Sequence, residues 1–214
     1  MSNGMRAEET ALVPRLRFPE FRDAGEWEEK ELFHVCEINS CAKFLPRNFV
    51  YIDLESVAEG RLLKKKIIPR ENAPSRAQRL LKAGDLIFQM VRPYQKNNYF
   101  FMPCDNLNYV ASTGYAQLRA YESNRYLFQY MHHDKFVSSV LEKCSGSNYP
   151  AVNSSDLSSI LVQIPSLPEQ QKIADCLSSL DDLITAQMDK LAALKTHKKG
   201  LMQQLFPCPE AVDV

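Results

Sequence analysis

Glycine is scarce in this chain, and its scarcity removes whole classes of function. The seven glycines (Gly4, Gly25, Gly60, Gly84, Gly114, Gly146 and Gly200) are widely dispersed among 214 residues. They form neither GxGxxG nor GxxxxGK[ST], so no nucleotide-cradling loop is expected. Neither a GxSxG elbow nor an HExxH helix occurs. The six cysteines (Cys36, Cys41, Cys104, Cys144, Cys176 and Cys208) include no CxxC pair and no histidine at zinc-finger spacing. They read as scattered reduced thiols in core positions, which makes the cytoplasm the expected compartment. His132 and His133 are adjacent on a helical pattern and diverge by about 100°, unsuited to sharing one metal. Asp23, Glu28 and Lys30 spell a compressed D-x4-E-x-K, but RDAGEWEEKEL reads as a solvated polar face. An amino-methyltransferase motif of Asp/Asn/Ser-Pro-Pro-aromatic type is also missing. No catalytic residue, metal site or cofactor is therefore expected. Long apolar runs are lacking too, so no transmembrane helix is predicted, and MSNGMRAEETAL lacks the apolar centre of a secretion signal.

Net charge is zero as well, but the distribution is uneven. Residues 61–98 carry ten Lys and Arg (Arg61, Lys64, Lys65, Lys66, Arg70, Arg76, Arg79, Lys82, Arg92, Lys96) against Glu71 and Asp85. The rest of the chain offsets this balance of +8. A basic segment hidden inside a neutral chain is a signal for a polyanionic partner.

From Phe49 to Ile164 short apolar runs alternate with polar turns. FVYIDL (49–54), DLIFQMV (85–91), NYFFM (98–102), YAQLRA (115–120) and ILVQI (160–164) have strand length and composition. Glu59-Gly60, Ala83-Gly84-Asp85 and Thr113-Gly114 are turn signals. Between two of these runs, residues 124–146 place Leu127, Tyr130, Met131, Val137, Val140 and Leu141 at helical spacing. Ser123 or Asn124 is placed to cap its start, and Gly146 to follow its end. The pattern predicts an α+β chain: a disordered tail over 1–13, a mixed α/β domain over 14–165, a long helix over 166–206 and a tail over 207–214.

The long helix opens with Ser166-x-x-Glu169, the spacing of a capping box, with Pro168 in the first turn. Alternate steps of four and three then give Ile173, Leu177, Leu180, Ile184, Gln187, Leu191, Leu194, Lys198, Leu201 and Leu205. That is a coiled-coil seam. At 1.5 Å per residue the helix runs roughly 55–60 Å, longer than a core of this size can cover. A second long helix is the expected cover. Asp175, Asp181, Asp182 and Asp189 precede Lys195, His197, Lys198 and Lys199. This gradient suits the helix's own dipole, and it also suits an antiparallel copy of the same sequence.

Two polar loops offer recognition chemistry. Arg76 and Arg79 lead into the first, and Arg92, Tyr94, Gln95, Lys96, Asn97, Asn98 and Tyr99 follow its strand. The second, SGSNYPAVNSSD (145–156), carries Ser147, Asn148, Tyr149, Asn153 and Ser154. Arg pairs bidentately with guanine, and Asn or Gln with adenine, while Lys and Arg elsewhere anchor phosphates. No RNA-binding consensus or RGG-like segment accompanies them.

Several of these stretches resemble one family. PRLRFPEFRDAGEWEEKEL (14–32), SRAQRLLKAGDLIFQMVRP (75–93), GSNYPAVNSSDLSSILVQIPSLPEQQKIADCLSSLDDLI (146–184) and KGLMQQLF (199–206) are similar to segments of type I restriction–modification specificity subunits. The resemblance implies a non-enzymatic subunit that binds double-stranded DNA. It selects the sequence at which methyltransferase (modification) subunits and, indirectly, a nuclease-translocase (restriction) subunit act. A usual member has two recognition domains separated by two antiparallel spacer helices. This chain matches one of each.

Either it is a truncated remnant, or two copies pair through Ile173, Leu177, Leu180, Ile184, Leu191, Leu194, Leu201 and Leu205 to rebuild the full arrangement. A homodimer implies a twofold-symmetric, interrupted target. The alternative is an adaptor that captures methyltransferase or full-length specificity subunits through its helix and reads no DNA. The DNA contacts expected under the first reading are Arg76, Arg79, Arg92, Lys96 and Asn98, with Ser147 and Asn148.

Overall fold

The computed structural model describes residues 12–42, 44–146 and 148–206. The strands are β1 (Glu28–Glu31), β2 (Cys36–Ile38), β3 (Asn48–Ile52), β4 (Val57–Ala58), β5 (Arg61–Leu62) and β6 (Lys66–Pro69). They continue with β7 (Ala77–Leu80), β8 (Leu86–Gln89), β9 (Tyr99–Phe100), β10 (Tyr109–Ser112), β11 (Tyr115–Ala120) and β12 (Leu161–Ile164). The α-helices are α1 (Asn124–Tyr130), α2 (Asp134–Glu142), α3 (Ser154–Ser158) and α4 (Leu167–Leu205). The chain divides into two units, Met1–Ile173 and Ala174–Val214. The α+β class and the long C-terminal helix are as the sequence implies.

Within the first unit, two four-stranded sheets have orders β6-β3-β10-β7 and β2-β11-β8-β9. All their pairings are antiparallel except β3 with β10. Period-2 alternation sorts the side chains of β3. Val50 and Ile52 join Leu81, Ile87, Phe101, Tyr109, Ala111 and Tyr115 in the larger apolar cluster, whereas Phe49 packs with Ile68, Ala77 and Val110. Every residue of β8 is buried. Ile87 enters the larger cluster while Phe88 meets Phe136 of α2 edge to face at 5.8 Å. Cover on both faces explains why β8 reads as an unbroken apolar run.

The turn before β8 is fixed by charge and backbone conformation together. Gly84 has φ +89°, a left-handed conformation that glycine adopts freely. The next residue, Asp85, is fully buried. Its carboxylate accepts from Arg119 Nε (2.8 Å), Arg119 Nη2 (3.0 Å), Gln117 Nε2 (2.5 Å) and the Lys82 backbone N–H (2.8 Å). A charge this deep is tolerated because its lone pairs are engaged, two of them by one guanidinium.

The structure departs from the sequence pattern in several places. The helix expected over 124–146 is two helices, with Ser123 capping α1 by accepting from the Tyr126 N–H. Residues 131–133 turn between them through His132 N–H to Gln129 and His133 N–H to Tyr130. The polar stretch Glu28–Glu31 is a strand, exposed along most of its length and paired to β12. Cys36 is the one described cysteine in the core, where burial pushes its thiol up to about 12. Cys41, Cys104 and Cys176 are exposed, Cys144 is half-buried, and Cys208 lies outside the described residues.

Glu169, the acid of the capping box, turns to Arg17 instead, in a two-pronged ion pair with both contacts at 2.7 Å. Arg17 also donates to the Gly25 carbonyl, which clamps the LRFPEF segment to the first turn of α4. Beyond Ile173 the helix keeps its apolar positions exposed, for example Leu180 (50%), Ile184 (57%), Leu191 (53%) and Leu194 (56%). Leu177, Leu201 and Leu205 are exposed as well, and Ile173 is half-buried. No helix among the described residues is long and apolar enough to cross a membrane.

Candidate nucleic-acid interface

The basic segment 61–98 divides in the fold. Lys66 lies on β6 and Arg79 on β7, the two opposite edges of the same sheet. On the β6 side, Lys65 binds Asp105 at 2.9 Å and lies 5.9 Å from the Tyr109 ring centre. The Asp105 carboxylate is held below its ordinary value, first by the Lys65 hydrogen bond. Lys64, Lys66 and Arg70 are exposed on that edge.

On the other side, backbone hydrogen bonds assemble the two polar loops into one ledge. The Thr113 N–H donates to the Arg76 carbonyl (2.8 Å), and the Met90 N–H to the Gly114 carbonyl (2.9 Å). The Val152 N–H donates to Met90 (3.1 Å), Val91 bridges Ala151, and the Arg92 N–H donates to the Pro150 carbonyl (2.7 Å). Stretches about 60 residues apart in sequence therefore form a continuous row. Arg76, Asn148 and Tyr149 are exposed along it. The Arg92 guanidinium lies 5.6 Å from the Tyr149 ring centre, a cation–π contact.

Arg92 and Lys96 both occupy the left-handed region, with φ +55° and +52°, on either side of a 3-10 turn over Pro93–Gln95. Such a backbone costs roughly 1–3 kcal/mol per residue and persists only where its surroundings over-determine it. They do so here. Lys96 Nζ donates to the His132 carbonyl (2.9 Å) and to Asp134 (2.5 Å). That contact holds the Asp134 carboxylate below its ordinary range. Asn98 is buried and accepts the Gln89 N–H at 2.9 Å.

The sequence-predicted residues thus fall into three groups. Arg76, Arg92 and Asn148 line the ledge. Lys96 and Asn98 brace it from inside, with Asn98 turned away from solvent. Arg79 is half-buried on β7; burial lowers its guanidinium, and its Nε has no acceptor among the described residues. Ser147 lies outside the described residues. In the second loop, Asn153 caps α3 by accepting the Asp156 N–H, and Ser154 accepts from Asn39.

Sequence reasoning missed Gln89, the fully buried residue around which the first loop is built. Its only sequence signal is a polar residue closing the apolar run LIFQ. Among the described residues no group of three His, Cys, Asp or Glu side chains is placed to hold a metal.

Two layered sheets with helices on one face, a basic ledge of paired loops and a long apolar-seamed helix define a macromolecular recognition module. Residues 24–196 match the type I restriction modification DNA specificity domain, and the chain belongs to that family. Over 166 residues it is 28% identical to the HindI specificity subunit of Haemophilus influenzae, covering 74% of this chain and 36% of that protein. It is 20% identical over 208 residues to the MjaVIII specificity subunit of Methanocaldococcus jannaschii (85% and 45%). The HsdS subunit of Thermoanaerobacter tengcongensis superposes with a TM-score of 0.64 at 29% identity, over 88% of this chain and 51% of that one. The chain therefore spans about half, or less, of the length of these relatives. The resemblance read from the sequence is borne out, and the HindI and MjaVIII relatives are named as specificity subunits of type I restriction enzymes.

Proposed function

We propose that this chain reads one half of a bipartite DNA target and that two copies pair through α4 to specify the whole. The observation that carries this reading is the ledge: two loops far apart in sequence, fused by backbone hydrogen bonds and presenting arginine and amide groups. Arg76, Arg92 and Asn148 contact DNA, Arg79 adjoins them, and Lys96 and Asn98 hold the loop in shape. Phosphate contacts supply affinity for any duplex, and base-edge contacts supply the choice of sequence.

The exposed seam on α4 supports an antiparallel homodimer, in which the acidic part of each helix meets the basic end of the other. The recognition domain (14–165) and spacer helix (166–206) then act as reader and ruler, with methyltransferase subunits docked beside them. The nuclease-translocase subunit joins indirectly, and the assembly works in the cytoplasm without a cofactor in this subunit. The test is modification of random-sequence DNA by methyltransferase subunits plus this chain alone. Methylation at a single interrupted, inverted-repeat sequence supports the reading. No methylation, together with capture of the methyltransferase, supports the adaptor instead.

A further inference from the structure

We infer that Gln95 is a specificity-determining residue that selects adenine, and that buried Gln89 sets the orientation of its amide. The inference rests on the DNA-reading function proposed above and names the group that does the reading at one position. The two ends of a glutamine amide are chemically distinct but nearly identical in shape, so only their partners fix which way they point. Here one partner is unambiguous. The Asn97 backbone N–H can only donate, and it donates to Gln89 Oε1 at 3.1 Å.

Gln89 must therefore turn its Nε2 the other way, and there it donates to Gln95 Oε1 at 2.8 Å. Gln89 is 1% exposed, and inverting its amide would set Nε2 against the Asn97 N–H, donor against donor, away from solvent. The polarity of the pair runs from a backbone group outward, and it ends on an exposed side chain.

Gln95 is left with both Nε2 hydrogens and one Oε1 lone pair, a donor beside an acceptor in one plane. No further hydrogen bond engages that amide among the described residues. A phosphate offers acceptors alone and would leave the carbonyl unmatched. In the major groove guanine offers two acceptors, cytosine a donor and thymine an acceptor. Adenine offers the N7 acceptor beside the N6 donor, the complement of what Gln95 presents. The left-handed residues on either side, Arg92 and Lys96, hold Gln95 at the tip of a turn that its surroundings prevent from relaxing.

The experiment is selection of bound duplexes from a random library by the full chain, for the natural protein, Q95A and Q95E. Both substitutions fall on an exposed residue, so the fold is expected to survive, and circular dichroism checks that it does. The natural protein should select an adenine that Q95A no longer requires. The preference there should fall by about five- to 160-fold, the range one bidentate amide–base pair supplies, while other positions are kept. Q95E, which presents acceptors alone, should shift the same position toward cytosine.

If Q95A weakens binding to all sequences equally and leaves the selected sequence unchanged, Gln95 is merely a brace and the inference fails. It fails equally if the position Q95A relaxes is not adenine. A natural protein that selects no sequence at all overturns the proposed function itself, and this inference with it.

Discussion

Removing the Asp85 carboxylate should destabilise the recognition unit by about 3 kcal/mol. The residue is fully buried and accepts four hydrogen bonds, two from Arg119. Deleting one partner of a buried pair costs about 3–5 kcal/mol, because the other charge is left unmatched. The lower end applies here. The Arg119 side chain is 29% exposed and keeps Glu37 at 3.1 Å, so water and a second acid take up part of its charge. Gln117 also keeps the Leu80 carbonyl at 3.1 Å. For a unit of this size about 3 kcal/mol corresponds to about 6–12 °C in Tm.

Trp27 is the chain's single tryptophan and packs against Tyr126 at 6.5 Å, so its fluorescence reports unfolding of this unit. Urea unfolding of D85A against the natural protein gives the difference directly. D85L combined with R119M, which replaces the pair by apolar side chains of similar bulk, should recover much of the loss. A D85A penalty below about 1 kcal/mol would mean that the buried carboxylate does not hold the turn together.

Other outcomes follow from the same contacts. R92A should weaken binding to every duplex, through the lost guanidinium–Tyr149 ledge, and reduce the slope of log affinity against log salt by about one if Arg92 meets a phosphate. N98A leaves the Gln89 N–H without its acceptor and should cost about 1–3 kcal/mol in urea unfolding. Because Asp134 is held below its ordinary 3.8 by Lys96, their contact stabilises the loop fully above that value. It is lost as pH falls through the lower folded value. Protection factors of the amides in residues 92–98, with the intrinsic pH dependence of exchange divided out, should thus be flat from neutral pH down to about 3.8 and fall only below it, whereas D134N should lack that protection throughout. L180D with I184D should leave the first unit's melting intact and abolish any dimer seen by sedimentation.

How much of this was legible in the sequence depended on whether the signal was local. The seam of α4 repeats every three and four residues over ten positions, so Ile173 to Leu205 could be read directly. The burial of β8 was legible because cover on both faces leaves no polar alternation. β1 was not, since Glu28–Glu31 has no apolar face and is a strand only through its pairing with β12. The break between α1 and α2 carries neither Gly nor Pro, and backbone hydrogen bonds at 131–133 make it.

At the site, the polar residue types were legible in the sequence, but the partners that fix each side chain were not. Lys96 and Asn98 look like DNA-facing polar residues in a list. Asn98 turns inward to the Gln89 N–H, and Lys96 is drawn along the surface to Asp134, 38 residues on, partners that no local pattern reveals. The joining of loop 92–98 to loop 145–153 is likewise a tertiary fact, carried by the Arg92 N–H and the Pro150 carbonyl.

On the proposed reading, one chain supplies one half-site and its copy supplies the other. Sequencing of methylated bases in random DNA treated with methyltransferase subunits and this chain alone tests it most directly. Modification is expected at one interrupted sequence whose halves are identical and inverted. Modification at a target with two unlike halves, or none at all, would contradict it.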